Sequence, residues 1–149
     1  MNKQTLYKAG SIAGFALAVL GLFYLLRNNY LLSTNLAGMS VQLLAVGLMV
    51  WARFTFGLRS FHATAHTTTG ALITNGAYRW FRHPIYASII YFIWAGVLSF
   101  RVWDAVAAGL VITGGLITRM LLEEIFLRQT YPTYAAYSMQ TKRIIPFVF

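Results

Sequence analysis

Long apolar segments separated by short basic connections limit this chain to very few folds. Four such segments cover about residues 9–26, 36–58, 84–100 and 104–130. A helix of about 20 apolar residues crosses the hydrocarbon of a bilayer, because it satisfies its own backbone hydrogen bonds there. We therefore expect an all-α integral membrane protein with four transmembrane helices, in a single domain that spans residues 1–149.

The composition agrees with lipid as the surrounding solvent. Hydrophobic residues make up 58% of the chain and charged residues only 10%, whereas soluble domains contain roughly 25% charged residues. The net charge of +9 does not indicate nucleic-acid binding, because the basic residues lie between the apolar segments instead of forming one polar face. The sequence has no cysteine, which excludes disulfides, thiolate metal sites and a thiol nucleophile.

Lysine and arginine in the flanking segments predict the orientation in the membrane. The N-terminus holds two, the connection from Arg53 to His83 four, and the segment after Leu122 three, whereas the other two connections hold one each. Cytoplasmic flanks carry the excess of basic residues. We expect both termini and the second connection in the cytoplasm, and we expect the first span to be retained because no small-residue cleavage site follows it.

Several side chains in the apolar segments have predicted structural roles. Gly10, Gly14 and Ala18 form a small-residue face that favours close helix packing, either within the molecule or in a homodimer. Gln42 is expected to hydrogen-bond to a neighbouring helix, because an unsatisfied amide is costly in lipid. Asp104 is expected to cap the fourth helix.

A basic and aromatic stretch, Gly76 to Tyr86, precedes the third span. Pro84 suits the first helical position, because it lacks the amide hydrogen that would stay unbonded there. The free amides and the positive dipole end of this helix, with Arg82 and His83 nearby, predict an anion site for a carboxylate or phosphate. Arg79 has a simpler interpretation as a basic residue that flanks a span.

The chain's two glutamates, Glu123 and Glu124, lie just past the apolar part of the fourth helix, which should continue until Pro132 stops it. If the third and fourth helices form an antiparallel hairpin, the glutamates lie beside Arg82 and His83 at one face of the membrane. One carboxylate then faces the third helix, as a candidate for binding ligand hydroxyls or an ammonium group, while the other pairs with arginine.

Simpler interpretations stay open for this region. A spacing of four permits ion pairs between Arg119 and Glu123 and between Glu124 and Arg128, as on an ordinary surface helix. Three tyrosines repeat after it at three-residue intervals and are suited either to closing a site or to anchoring the chain at the membrane interface. These are Tyr131, Tyr134 and Tyr137.

His62 and His66 are also four residues apart, a spacing that allows two metal ligands on one helical face. The surrounding sequence offers no third ligand. We therefore expect these histidines in an exposed loop, and we expect no metal site.

Several motifs follow one another in the second half of the chain. They are the stretch 72–78, Arg-His-Pro-x-Tyr at 82–86, the glutamate pair 123–124, and a tyrosine-rich tail that closes with Arg-Ile-Ile-Pro at 143–146. In order and spacing they resemble the integral-membrane methyltransferase family that includes isoprenylcysteine carboxyl methyltransferase and phospholipid N-methyltransferases. The resemblance covers about residues 70–147. Residues 1–60 match only as two generic spans, so 61–149 form the expected catalytic half with helix hairpin and tail.

The resemblance implies methyl transfer from S-adenosylmethionine to a hydrophobic or lipid-like acceptor, at the cytoplasmic face of the membrane. His83 and the start of the third helix would hold the cofactor's amino-acid end, and Tyr78 would border the adenosine. The cofactor positions of the family correspond here to Leu72, Ile73, Gly76, Tyr78, His83, Pro84, Tyr86, Glu123, Glu124 and Tyr137. The expected catalytic residues are Arg82, His83, Glu123, Glu124 and Arg143.

The sequence leaves the acceptor open. A carboxylate needs no general base and would be positioned by Arg143 or Arg82, whereas an amine must lose a proton to His83 or a glutamate. Ser88 stands where many relatives have glycine, which is expected to narrow the backbone approach at that turn. The alternatives to an enzyme of this family are a non-catalytic helical membrane protein that binds lipid or a partner, and an NADPH-dependent membrane reductase.

Overall fold

The structure, a computed structural model, describes residues 3–57 and 72–145. Within these ranges the regular structure is helical. The predicted loop with His62 and His66 lies outside the described residues, as does the closing proline at 146. In chain order the elements are α1 (Lys3–Arg27), α2 (Leu36–Phe56), a 3-10 helix (Gly76–Arg79), α3 (Pro84–Phe100), α4 (Trp103–Thr130) and α5 (Tyr134–Gln140).

The predicted apolar segments are all helices in the structure. α1, α2 and α4 are long and apolar enough to cross a membrane. α3 is also apolar but has 17 residues, about 26 Å at 1.5 Å per residue, which is the lower limit for a span. α2 ends at Phe56 rather than at residue 58, because Gly57 takes a positive φ of 68° that an α-helix does not allow.

α1 and α4 pack against each other in antiparallel orientation. Near one end, the Tyr24 hydroxyl donates a hydrogen bond to Asp104 Oδ2 at 2.8 Å. Near the other end, the Tyr7 and Phe126 ring centroids lie 6.3 Å apart. The N-terminal end of α1 therefore lies beside the C-terminal end of α4.

The small-residue face of α1 is used inside the molecule. A Cβ atom on Gly14 would lie 2.7 Å from the carbonyl oxygen of Gly115 on α4, and one on Gly10 would lie 3.1 Å from Leu122 Cδ1. Ala18 is buried at the same interface. This confirms the internal packing expected of that face, while a homodimer stays a prediction.

Gln42 links α2 to α3, as its position in an apolar segment predicts. Its Nε2 donates to the carbonyl oxygens of Leu31 at 2.8 Å and Phe92 at 3.1 Å, and its Oε1 accepts from the Ser33 amide at 3.0 Å. The Gln42 side chain is buried and the three bonds are buried or partly buried, so the amide satisfies backbone groups that would otherwise stay unbonded.

α3 and α4 form the expected hairpin. α3 begins at Pro84, and Arg101 turns the chain with a left-handed φ of 54°. Trp94 Nε1 donates to Thr113 Oγ1 at 2.9 Å, which fixes the register between the two helices. The start of α3 and the end of α4 therefore meet at one end of the bundle. We call this the charged end, because it holds Arg82 and Glu124.

The predicted cap of α4 is wrong in detail. The helix begins at Trp103, and the residue before it, Val102, makes no side-chain capping hydrogen bond. Asp104 lies one position inside the helix, where its carboxylate still suits the positive end of the dipole. The other end agrees with the prediction, since α4 continues past both glutamates to Thr130 and the chain leaves the helix at Tyr131, just before Pro132.

Candidate functional site

A backbone pairing joins the last described segment of the chain to the start of α3. Phe81 and Lys142 form a parallel bridge. The Arg82 amide donates to the Lys142 carbonyl at 2.7 Å, and the His83 amide donates to the Arg143 carbonyl at 3.0 Å. The Tyr91 hydroxyl also donates to the Ile144 carbonyl. These bonds hold the arginines of two distant segments side by side.

Glu124 lies at the centre of a cationic cluster. Its Oε1 accepts from Arg82 Nη1 at 2.9 Å and from Arg143 Nε at 3.2 Å, and its Oε2 accepts from Arg143 Nη2 at 3.0 Å. His83 Nε2 lies 3.4 Å from Oε1. The Glu124 residue is only 4% exposed, so the two-point contact with Arg143 is a strong, charge-assisted one.

Glu123 has different neighbours from Glu124. Its Oε2 accepts a hydrogen bond from the Tyr86 hydroxyl at 2.9 Å, and it is half-buried rather than buried. The Tyr86 hydroxyl in turn accepts from Arg119 Nε at 2.9 Å. Because adjacent helical residues point about 100° apart, the two glutamates serve two separate polar networks at the start of α3.

The helical ion pairs considered from spacing are not the contacts that the structure describes. Glu124 bonds to Arg82 and Arg143, and the guanidinium of Arg128 instead lies 5.8 Å from the centroid of the Tyr134 ring. Tertiary partners that are buried and correctly oriented outweigh an exposed pair along one helix, which contributes only about 0.2–0.5 kcal/mol.

Tyr137 covers the 3-10 helix from α5. Its hydroxyl donates to the Tyr78 carbonyl at 2.7 Å. Burial raises the pKa of Tyr137 to about 12, so the phenol keeps its proton and stays a donor. Tyr134 is 1% exposed and packs against Tyr137, with ring centroids 5.9 Å apart. These two tyrosines are internal packing groups and not interface anchors.

The segment before α3 packs against the end of α2. Gly76 has a φ of +55°, and a Cβ atom there would lie 2.7 Å from Thr55 Cγ2, so both conformation and space require glycine. The Tyr78 ring is buried 5.5 Å from the Phe56 ring, and Ile73 packs against the same small cluster. The predicted adenosine-binding residues are thus adjacent to one another, and Tyr137 links them to the tail.

The structure brings the predicted site residues together in three groups at the charged end. Arg82, His83 and Arg143 surround Glu124, and Tyr86 holds Glu123. The third group follows the 3-10 helix and contains Ile73, Gly76, Tyr78 and Tyr137, with Leu72 half-buried beside Ile73. No group of three metal-ligating side chains occurs in the described part of the chain.

Two residues behave differently from expectation. Ser88 is buried against α2, where its hydroxyl donates to the Ile85 carbonyl at 2.7 Å and lies 3.7 Å from Met49 Sδ, so its side chain fills the α2–α3 interface. Arg119 was considered only as a partner of Glu123 but belongs to the Tyr86 network. An arginine inside an apolar run is itself a signal of function, and this signal could have singled it out.

Packed apolar helices with a buried, charged network at one end define a helical membrane protein. The chain belongs to the phospholipid methyltransferase family, because the model described as "Phospholipid methyltransferase" matches residues 33–134, more than half of the chain. It is therefore a membrane protein of a methyltransferase family. No curated protein and no solved structure matches the chain. The family match includes α2 and ends at Tyr134, so Tyr137 and Arg143 lie beyond it.

Proposed function

We propose that this protein is an S-adenosylmethionine-dependent integral-membrane methyltransferase that acts on a hydrophobic or lipid-like acceptor. The observation that carries the proposal is the half-buried Glu123 carboxylate, held by Tyr86 beside the start of α3. A methyltransferase family needs a cofactor pocket, and a partly exposed carboxylate next to free helix amides is a suitable place for one.

The residues at the charged end fit this cofactor chemically. The cofactor has a carboxylate, an ammonium group and ribose hydroxyls. The first-turn amides of α3, at Ile85 and Tyr86, have no carbonyl partner within their helix and suit the carboxylate. Glu123 suits the ammonium group or the hydroxyls. The apolar surface around Ile73 and Tyr78 suits the adenine ring.

When bound, S-adenosylmethionine supplies a methyl group on a positively charged sulfur. The protein's part is mainly to align the acceptor with that methyl carbon, since alignment is the main source of rate in a displacement of this kind. A carboxylate acceptor needs no base. An amine acceptor must lose a proton, and Glu123 is the carboxylate suited to take it, because Glu124 is already neutralised by Arg82 and Arg143.

The Glu124 cluster supports the pocket in this proposal. Arg82, His83 and Arg143, expected from sequence to be catalytic, all contact Glu124. Their contacts with Glu124 therefore fix the tail to the start of α3, and with it the position of Tyr137 over the 3-10 helix. Their direct contact with cofactor or acceptor stays a prediction.

We also propose that the charged end faces the cytoplasm and that the chain crosses the membrane several times. In the described residues, Arg27 and Arg101 lie at the opposite end of the bundle, at the end of α1 and after α3. The charged end holds Arg53, Arg79, Arg82, Arg128, Lys142 and Arg143. Such an excess of basic residues is typical of the cytoplasmic side.

Calorimetric titration of the detergent-purified protein tests the cofactor. We expect saturable heats with S-adenosylmethionine and with S-adenosylhomocysteine, its demethylated product, and none with NADPH. Silence with the first two would refute the methyltransferase proposal. Binding of NADPH alone would identify a reductase, and silence with all three would leave a non-catalytic lipid-binding or partner-binding protein.

A radiolabelled methyl-transfer screen then identifies the acceptor class. The screen offers a prenylated cysteine, phosphatidylethanolamine, and small hydrophobic amines, thiols and acids in mixed micelles. If labelled product appears in the organic phase for one acceptor class and for no other, that class identifies the group that is methylated. Label in water-soluble acceptors alone would contradict a lipid-like acceptor.

A further inference from the structure

Arg119 is a buried cation in the apolar part of α4. It lies one helical turn before Glu123, and its residue is 7% exposed. An ionised group taken out of water costs several kcal/mol unless a partner of opposite charge neutralises it. Such a residue in a membrane-spanning segment is by default a functional group whose partner has to be found.

The partners of Arg119 do not neutralise it. Its Nε donates to the neutral Tyr86 hydroxyl at 2.9 Å, and its Cζ lies 5.2 Å from the centroid of the Phe15 ring. The ion pairs among the described residues all involve Glu124 and do not include Arg119. Its buried Nη1 has no hydrogen-bond partner in the described part of the chain. The missing partner is therefore an acceptor, and the charge indicates an anion.

A second unsatisfied polar atom lies on the helix that faces Arg119. The Ser11 hydroxyl is buried and has no hydrogen-bond partner among the described residues. Ser11 precedes Phe15 by one helical turn, so both side chains lie on the same face of α1. A hydroxyl and a guanidinium N–H can both donate to one anionic group, which strengthens the case for an anion over a cation or an apolar ligand.

The Phe15 side chain lies between the Arg119 guanidinium and the outside of the helix bundle. Its ring lies over the Arg119 guanidinium, yet the residue is 44% exposed on the outside of α1. The exposed surface of α1 at this depth faces lipid in a membrane protein. A rotation of the Phe15 side chain would therefore open Arg119 sideways to the bilayer rather than to water.

The arginines of the Glu124 cluster already have a carboxylate partner, although Arg82 Nε has no hydrogen-bond partner among the described residues. Arg82 and Arg143 both donate to Glu124, so an acceptor that needed either of them would have to displace a buried carboxylate. Arg119 offers an N–H without such competition. It is also linked to the proposed cofactor site, because Tyr86 bonds to both Arg119 and Glu123.

From these contacts we infer that Arg119, beneath Phe15, binds the anionic group of a lipid-like molecule that enters from the bilayer. This group is a carboxylate or a phosphate attached to an apolar chain. The inference rests on the proposed function in one respect, since it identifies that molecule as the methyl acceptor. Arg119 is then a specificity-determining residue for an acceptor class, one turn deeper in the membrane than Glu123.

The test uses single-chain amphiphiles as probes, with the full-length protein in a neutral maltoside detergent. Dodecyl phosphate, dodecanoate and inorganic phosphate are titrated in turn, and the melting temperature is followed. Ligands that bind only the folded protein raise its melting temperature, and the rise grows with the logarithm of ligand concentration above the dissociation constant. We expect a concentration-dependent rise with one or both dodecyl anions and little effect of inorganic phosphate.

Three variants assign the effect to the site. Arg119→Gln should weaken the apparent affinity for the dodecyl anion by at least about tenfold, because truncating one member of a buried charge pair is expensive. Arg119→Lys keeps the charge but loses the forked geometry, and it should retain part of the response. Phe15→Ala should leave the response intact or shift it to lower probe concentration, because it uncovers the guanidinium.

The outcomes separate this inference from the proposed function. An equal rise in wild type and Arg119→Gln, with both proteins folded, would refute the anion site. An equal rise with inorganic phosphate and dodecyl phosphate would refute the lipid source. A wild-type protein that binds no cofactor would refute the proposed function but leave the anion titration valid.

Discussion

Arg82 Nη1 and Glu124 Oε1 lie 2.9 Å apart, although the two residues are separated by 42 positions in the sequence. Their contact closes the α3–α4 hairpin at the charged end, and both side chains are nearly inaccessible to solvent. Since Arg143 approaches the same carboxylate, Glu124 neutralises two arginines from distant parts of the chain, and His83 Nε2 lies 3.4 Å from it.

Replacing Glu124 with glutamine should destabilise the protein strongly. The substitution keeps the size of the side chain but leaves Arg82 and Arg143 without their counter-ion. Breaking a buried ion pair by removing one member costs about 3–5 kcal/mol. Thermal or denaturant unfolding in detergent measures the loss. The matched control is Glu123→Gln, which removes a half-buried carboxylate that forms no ion pair within the described residues and should cost less than about 1.5 kcal/mol. Equal losses would contradict the separation of the two networks.

Cofactor affinity should depend more on the Glu123 network than on the Glu124 network, which is the reverse of the order expected for stability. Tyr86→Phe removes the hydroxyl that orients Glu123, and Glu123→Gln removes its charge. Each should weaken S-adenosylmethionine binding by about tenfold or more, the equivalent of one charge-assisted hydrogen bond. Calorimetry on folded protein gives the affinity, and Tyr30→Phe, at the far end of the bundle, is a neutral control. Wild-type affinity in Glu123→Gln would place the cofactor elsewhere.

Two adjacent glycines of α4 should respond differently to the same substitution. In Gly115→Ala the new methyl group would collide with the Gly14 carbonyl, whereas at Gly114 nothing lies within 4 Å of the added atom. We expect Gly115→Ala to lower stability by about 1–3 kcal/mol, because the close α1–α4 contact cannot relax without a helix shift. Gly114→Ala should be neutral or stabilising by up to about 1 kcal/mol, since alanine is the better helix former. Melting temperatures of the two variants provide the comparison.

The contribution of Tyr137 should disappear at alkaline pH. Its folded-state pKa of about 12 lies above the ordinary value of 10.0, so the stability it contributes is present in full below about pH 10. That stability is lost as the pH rises from 10 towards 12, because the unfolded chain ionises first. The difference in unfolding free energy between wild type and Tyr137→Phe should be constant from pH 7 to 9, at about 0.5–1.5 kcal/mol. It should then shrink above pH 10. A difference that persists unchanged to pH 12 would mean that the phenol is not buried in solution.

The sequence predicts the helices well because lipid as solvent leaves few alternatives. Apolar length identifies α1, α2 and α4, and Pro84 marks the first residue of α3. The hairpin then brings Glu123 and Glu124 to the start of α3, since both motifs lie at the same ends of adjacent antiparallel helices. These steps need only the length and order of the segments, which the sequence states directly.

The partners within the site could not be predicted in the same way. Which glutamate bonds to Arg82 depends on the rotation of α4 about its axis, and close packing of Gly14 on Gly115 sets that rotation. The pairing of Lys142 with the start of α3 is a long-range backbone contact without a side-chain pattern. The spacing permitted an ion pair between Arg119 and Glu123 along one helix, but the contacts of Arg119 in the structure are with Tyr86 and Phe15 from two other helices.

The backbone pairing of Phe81 with Lys142 also bears on the order of events during biosynthesis. The ribosome makes α3 and α4 before residues 141–145, so Arg143 is the last member of the Glu124 cluster to be synthesised. Arg82 is the arginine that contacts Glu124 within the hairpin itself. The cluster can therefore be complete only after the segment that follows α5 has been made.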